Sequence, residues 1–168
     1  TGGIAALSSI IPLAAVAPIL VFVGLSMVTT AFQSNEKKYF PAVAIAMLPY
    51  FANYVMTRFN NPAGEVVAGI SEGIVPLGQG AMFTAIILGA ITAFVIDQQY
   101  KKAAVFSMVG ALMSFVGFMH APQLNLNASP EYTIGYVLVG AFLLYCEYQN
   151  KSAKTKNNLS YTTNKKAA

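Results

Sequence analysis

The fold is decided first by an uncharged run of 23 residues, IIPLAAVAPILVFVGLSMVTTAF, at positions 10 to 32. A helix rises about 1.5 Å per residue, so this run would reach about 35 Å, enough to cross a hydrocarbon core about 30 Å thick. The composition of the whole chain agrees, since 56% of its 168 residues are hydrophobic and 10% are charged. Soluble domains carry about 25% charged residues. We therefore predict an integral membrane protein.

Four further apolar segments follow the first one. They cover residues 40–56, 80–96, 103–119 and 132–148, and each is close to the minimum spanning length of about 17 residues. Backbone groups inside a bilayer must be hydrogen-bonded within the protein, which favours helices, and none of these runs shows the alternation of a strand. The sequence therefore predicts an all-α, polytopic bundle of about five spanning helices within residues 1–149.

The basic residues indicate how such a bundle would be oriented. Nine of the ten fall on alternate connections, which are the link at 33–39, the link at 97–102 and the chain after residue 149. Because cytoplasmic loops are enriched in Lys and Arg, we predict a multi-pass protein of the plasma (inner) membrane with a cytoplasmic C-terminus. The polar residues 150–168 are predicted to form a disordered basic tail, whose lysines would face anionic lipid headgroups rather than nucleic acid.

The residues that usually carry enzyme chemistry are scarce. The chain has one cysteine, Cys146, and one histidine, His120, and it contains no nucleophilic triad, phosphate loop or metal-ligand motif. His120 lies at the outer end of the fourth segment, where we expect an interfacial residue. We predict that the protein is not an enzyme and has no catalytic residue, cofactor or metal site.

A second stretch, GISEGIVPLGQGAMF at 69–83, combines an acid with several helix breakers. Such backbone is tolerated at membrane depth where it is buried in protein or lines a cavity, and interrupted segments build substrate and ion sites in secondary transporters. The alternative is an outer loop on the headgroups with Glu72 solvated. The candidate pathway residues are Glu72, Gln79 and, from the second segment, Asn53.

Prolines within the apolar segments predict bends. Proline removes a backbone hydrogen bond and clashes with the preceding turn of a helix. Pro12, Pro18 and Pro49 are therefore the candidate gating or bending positions.

The apolar segments also resemble a known family. The runs PLAAVAPILVFVGLSMVTTAFQ (12–33), FPAVAIAMLPYFANYV (40–55) and SEGIVPLGQGAMFTAIILGA (71–90) are similar to the C-terminal part of the xanthine/uracil permease superfamily. More specifically, they resemble the azaguanine/hypoxanthine-type branch of nucleobase:cation symporters. The resemblance implies two inverted seven-helix repeats and uptake of purines or related nucleobases coupled to H⁺ or Na⁺.

The resemblance places this chain on the C-terminal, gate side of a larger inverted-repeat transporter. The binding acids of the family would lie upstream of Thr1, so none is carried onto this chain, and family members usually end soon after the helix matched by 80–96. The expected partners are a nucleobase-type molecule, membrane lipid and the upstream remainder of the transporter, and a homodimer is compatible with this arrangement. A non-transporting membrane scaffold or assembly subunit, and a small membrane-embedded enzyme, stay open as alternatives.

Overall fold

A computed structural model of the chain describes the backbone of residues 13–59 and 73–167 and the side chains of residues 16–58 and 73–152. The regular structure in these ranges is entirely helical, which confirms the predicted all-α class. The helices are α1 Leu13–Gln33, α2 Phe40–Phe59, α3 Ile74–Gly78, α4 Ala81–Ile96, α5 Tyr100–Val116 and α6 Pro130–Ala167, and a short 3₁₀ turn, Lys37–Tyr39, precedes α2. The chain forms two compact units, Thr1–Phe40 and Pro41–Ala168.

Two helical stretches of the described residues, Val16–Gln33 and Lys37–Arg58, are long and apolar enough to span a membrane. The helix Ala81–Ile96 is also apolar but shorter. Helices α1 and α2 continue without a break past their internal prolines, Pro18 and Pro49. Pro12 lies outside the described residues.

The first unit exposes its apolar helix. No side chain described between residues 16 and 40 is buried. The hydroxyl groups of Ser26 and Thr29 donate to the carbonyls of Phe22 and Leu25, at 2.9 and 2.8 Å, and Thr30 repeats this pattern with Ser26 at 2.8 Å. Because these hydroxyls bond within their own helix, they leave α1 with an apolar surface that needs no polar partner from outside.

The second unit is built around one face of α5. The buried residues of this face are small: Ala103, Ala104, Ser107, Gly110, Ala111 and Ser114. A β-carbon at Gly110 would lie 2.9 Å from Ile87 Cγ2 on α4 and 3.1 Å from Tyr136 Cδ1 on α6. Small side chains allow helices to approach closely, and here they allow α5 to pack against α4 and α6 at once.

The ends of α5 and α6 differ from the apolar segments predicted from sequence. α5 runs from Tyr100 to Val116 instead of 103–119, because Gly117 adopts a left-handed conformation, φ 84°, and ends it. α6 continues to Ala167, whereas the sequence analysis predicts disorder after residue 149. The sequence contains no glycine or proline after Gly140, so no helix breaker interrupts this extension.

Candidate functional site

The stretch with the helix breakers is described from Gly73 onward, and Glu72 lies outside the described residues. Residues 74–78 form the single-turn helix α3, and Gln79 then extends, with φ −76° and ψ 122°. Gly80 turns the chain into α4 with φ 68°. A β-carbon at Gly80 would collide with the carbonyl oxygen of Phe118, so glycine is required here for both its conformation and the close approach.

Asn53 of α2 holds this broken segment. Its Nδ2 donates to the carbonyl of Gly78 at 2.9 Å. The backbones of the two segments nearly touch, since a β-carbon at Gly78 would lie 2.9 Å from the backbone nitrogen of Asn53. Asn53 is therefore bonded to the residue that precedes Gln79, another predicted pathway position, and Gln79 is half-buried. Their role in a pathway stays a prediction.

His120 also bonds to this segment. It is 4% exposed, its backbone N–H donates to Gln79 O at 3.1 Å, and its Nδ1 lies 3.1 Å from Pro76 O. Because a carbonyl only accepts, Nδ1 carries the proton in this contact. Nε2, 3.2 Å from the hydroxyl of Tyr136, then accepts from that hydroxyl. A neutral imidazole thus satisfies both neighbours, and His120 is buried where the sequence predicts an interfacial residue.

The surroundings of His120 fix its orientation and protonation. Its backbone is left-handed, φ 62°, its carbonyl accepts from Ser129 Oγ at 2.5 Å, and its ring stacks on Tyr132 with centroids 4.1 Å apart. Burial lowers the pKa of His120 below the ordinary 6.5, and the hydrogen bond with Pro76 raises it by less. The neutral form is therefore favoured, and the hydrogen-bond geometry is compatible with it.

The hydrogen bonds of Asn53, His120 and Tyr136 form the His120 network. On α2 and on α6 its residue lies about one and a half turns from the helix end. Asn53 lies six residues before Phe59 at the end of α2, and Tyr136 lies six residues after Pro130 at the start of α6, so each is about 9 Å along its helix. Tyr136 is also bonded to α5, because Ser107 Oγ donates to its carbonyl at 2.7 Å. Asn53 therefore meets the broken segment about one and a half turns before α2 ends, while His120 itself lies beyond the end of α5.

A cavity of about 360 Å³ opens beside the network. His120, Tyr132 and Tyr136 form its aromatic wall, and the rest of the lining is Leu77, Leu88, Glu131 and Gly135. Within the described ranges no group of three His, Cys, Asp or Glu side chains is placed to hold a metal ion. The arrangement can hold a broken helix in place, and it can bind or release a proton at one buried imidazole.

Sequence reasoning missed His120, Tyr136 and Ser129 as members of this site. His120 and Pro76 are 44 residues apart, and no periodicity relates them. Only Ser107 had a usable signal, since it belongs to the small-residue face of α5.

No protein-family model matches the chain, and comparison with curated proteins and with solved structures finds no significant match.

Proposed function

We propose that the chain is the C-terminal, gate-side portion of a cation-coupled secondary transporter of purines or related nucleobases. Its apolar helices would form a bundle of about five spans in the plasma (inner) membrane. The observation that carries the proposal is the broken segment 74–80, bonded between Asn53 on α2 and His120 after α5. Irregular backbone among membrane helices is tolerated when protein buries it, and secondary transporters use such breaks near their pathways.

The proposed substrate class rests on the sequence resemblance. The site described above would take part in the transport cycle. Alternating access is largely the rocking of one bundle against another. In the proposed cycle, α2 and the small-residue bundle α4–α6 move as a gate, and the Asn53 and His120 contacts transmit this movement to residues 74–80. The cavity beside His120 would be one wall of the pathway.

Uptake by the complete gene product tests the function directly. Cells that express it should accumulate labelled hypoxanthine, xanthine or uracil faster than cells with the empty vector. Asn53→Ala should reduce uptake while leaving membrane insertion unchanged, and Asn35→Ala is the matched control, because Asn35 Nδ2 bonds within its own helix end, to Ala31 O at 2.7 Å. A full-length protein that inserts and moves none of the three bases would exclude the nucleobase assignment.

The topology is tested by cysteine labelling. With Cys146 replaced by Ser, single cysteines at Asn35 and Asn157 should be shielded from an impermeant reagent added outside, and one at Asn125 should react. Asn125 lies in the α5–α6 connection and is exposed. Labelling of Asn35 from outside would overturn the orientation and the count of five spans.

Glu72 is tested through the pH dependence of uptake. If it lies on the pathway it would be partly desolvated, and intramembrane acids commonly bind protons or cations. Glu72→Gln should then lower transport or flatten its pH profile, while Glu36→Gln, on the exposed α1–α2 link, should leave both unchanged. An unaltered profile in Glu72→Gln and Glu72→Ala would assign residues 69–72 to a surface loop.

A further inference from the structure

A second cavity lies at the other end of α5 from His120, beside the middle of α6. It has a volume of about 450 Å³, and the side chains around it are cationic or amidic: Lys101, Lys102 and Gln98 from the α4–α5 turn and the start of α5, and Asn150 and Lys151 from α6. Gln99 and the single acid Glu147 complete the lining. The fold thus brings the pair Lys101 and Lys102 together with Lys151, about 50 positions later in the sequence.

The charges in this cavity favour an anion. Three ammonium groups against one carboxylate leave two positive charges. Lys151 lies 3.5 Å from Glu147, so that carboxylate is already balanced by its own helix. Asp97 is the nearest acid in sequence, and it is not part of the lining. Ammonium and amide groups together donate the hydrogen bonds that phosphate oxygens accept.

Lys102 is exposed, and its backbone belongs to a packed part of α5. Its Nζ lies 5.7 Å from the centre of the Phe94 ring on α4, and the next residues of α5, Ala103 and Ala104, are buried at 0% and 2% exposure. On α6, the buried face that begins at Tyr136 and Leu143 continues to the half-buried Glu147 and Asn150. The polar cavity is therefore a continuation of the packed helix interface.

The surface next to the cavity is apolar. Large side chains on the adjoining turns are exposed: Val105, Leu144, Tyr145 and Tyr148. A soluble anion would leave this surface uncovered, whereas a lipid whose headgroup occupies the cavity would lay its acyl chains along it. Basic pockets between membrane helices bind anionic headgroups in this way.

We propose that this lysine cavity is a binding site for the phosphodiester headgroup of an anionic membrane lipid. The proposal rests on the membrane embedding of the proposed function and is independent of the transported substrate. It assigns Lys101 and Lys102 to the phosphate, and Gln98 and Asn150 to the neighbouring polar groups of the headgroup.

The test compares lipids on the purified full-length protein. Native mass spectrometry counts retained lipid, and thermal melting in detergent is recorded with added phosphatidylglycerol, phosphatidylcholine or inorganic phosphate. Phosphatidylglycerol should be retained and should raise the melting temperature, and phosphatidylcholine should do neither. Lys101→Gln/Lys102→Gln should weaken phosphatidylglycerol binding by about 30-fold, since each lysine contributes a factor of about five.

A matched variant separates a site from general surface charge. Lys37→Gln/Lys38→Gln removes the same charge from the other basic link, where both lysines are exposed and line neither of the two cavities described above. It should bind phosphatidylglycerol as the wild type does, and Lys101→Arg/Lys102→Arg should retain binding. Melting without lipid identifies any variant that fails to fold. Asn150→Asp is a second test of the site, because it adds a negative charge to the cavity wall. It should also weaken the binding of phosphatidylglycerol.

The outcomes are distinct. Equal loss in the two lysine-to-glutamine variants would reduce the effect to diffuse charge and overturn the proposal. Stabilisation by inorganic phosphate that equals that of phosphatidylglycerol would assign the cavity to a soluble anion and overturn its lipid occupant. Lipid binding by a protein that moves no nucleobase would uphold this site while the proposed transport function fails.

Discussion

Ser26 on α1 and Ser107 on α5 use their hydroxyl groups in opposite ways. On α1, Ser26 donates to Phe22 of its own helix. On α5, Ser107 is fully buried and donates instead to the Tyr136 carbonyl of another helix. Both regions are rich in apolar residues, so hydropathy alone does not separate them. What separates them is the size of the residues on one face: α1 exposes large side chains on most of its surface, and α5 presents small ones to its neighbours.

The difference shows which region is built for contact with other helices. The small face of α5 lets polar groups reach across to the next helix, and the His120 network continues this at the end of the bundle. α1 is internally satisfied and exposes Ile19, Phe22 and Met27 by more than 60% of their surfaces. Such a helix suits lipid or another apolar protein surface. The same kind of substitution should therefore affect stability differently in the two regions.

The largest effect is expected at Gly110. Gly110→Leu forces a side chain into the space between Ile87 and Tyr136, and overpacking should lower the free energy of unfolding by about 3 kcal/mol. At Gly24 on α1, a β-carbon would have no neighbouring atom within 4 Å. Gly24→Leu should therefore leave stability unchanged or raise it by up to about 1 kcal/mol through helix propensity.

Thermal melting of the purified full-length protein in detergent measures both variants. Similar losses in Gly110→Leu and Gly24→Leu would contradict the difference in packing between the two regions. A loss confined to Gly24→Leu would reverse it.

The next effect is expected at His120. His120→Ala removes the partners of Pro76 O and Tyr136 Oη and should cost about 2 kcal/mol, because buried polar groups are left unsatisfied. His120→Asn should cost less, since asparagine tolerates the left-handed backbone and keeps a donor. Melting temperatures rank the variants, and Gln123→Ala, on the exposed part of the same connection, is the control. An effect of His120→Ala no larger than that of Gln123→Ala would exclude the network as a structural element.

The parts of this fold that sequence predicts are those set by local pattern. The bounds of α2 and α4 follow from apolar runs of helical length, and the close packing of α5 follows from its small residues. The His120 site could not be predicted, because Asn53, Pro76, His120 and Tyr136 meet only through tertiary packing. The same residue types would occur at a membrane interface, where aromatic rings are common.

A smaller effect separates the two serines directly. Ser107→Ala removes a buried bond between helices and should cost about 1 kcal/mol. Ser26→Ala removes an exposed bond within one helix, which competes with the helix backbone, and it should change stability by less than about 0.5 kcal/mol. Both substitutions delete a serine hydroxyl group. The difference between their melting temperatures therefore measures the effect of the surroundings of that group. Equal effects would mean that the Ser107 to Tyr136 bond contributes nothing beyond a local one.

The smallest effect concerns the protonation of His120. Because the pKa of His120 in the folded protein is lowered by burial from 6.5, the unfolded chain binds a proton more readily. The stability that comes from the neutral imidazole is therefore fully present above pH 6.5 and is lost as the pH falls below it. The melting temperature of the wild type should decrease between about pH 7.5 and about pH 5.5, and this decrease should be smaller in His120→Asn. Glu131, Tyr132 and Tyr136 face His120 or its cavity and are present in both proteins, so the difference between the two slopes reports His120 itself. Parallel slopes would show that this imidazole is not kept neutral by the fold, and the acceptor role assigned to Nε2 toward the Tyr136 hydroxyl would have to be abandoned.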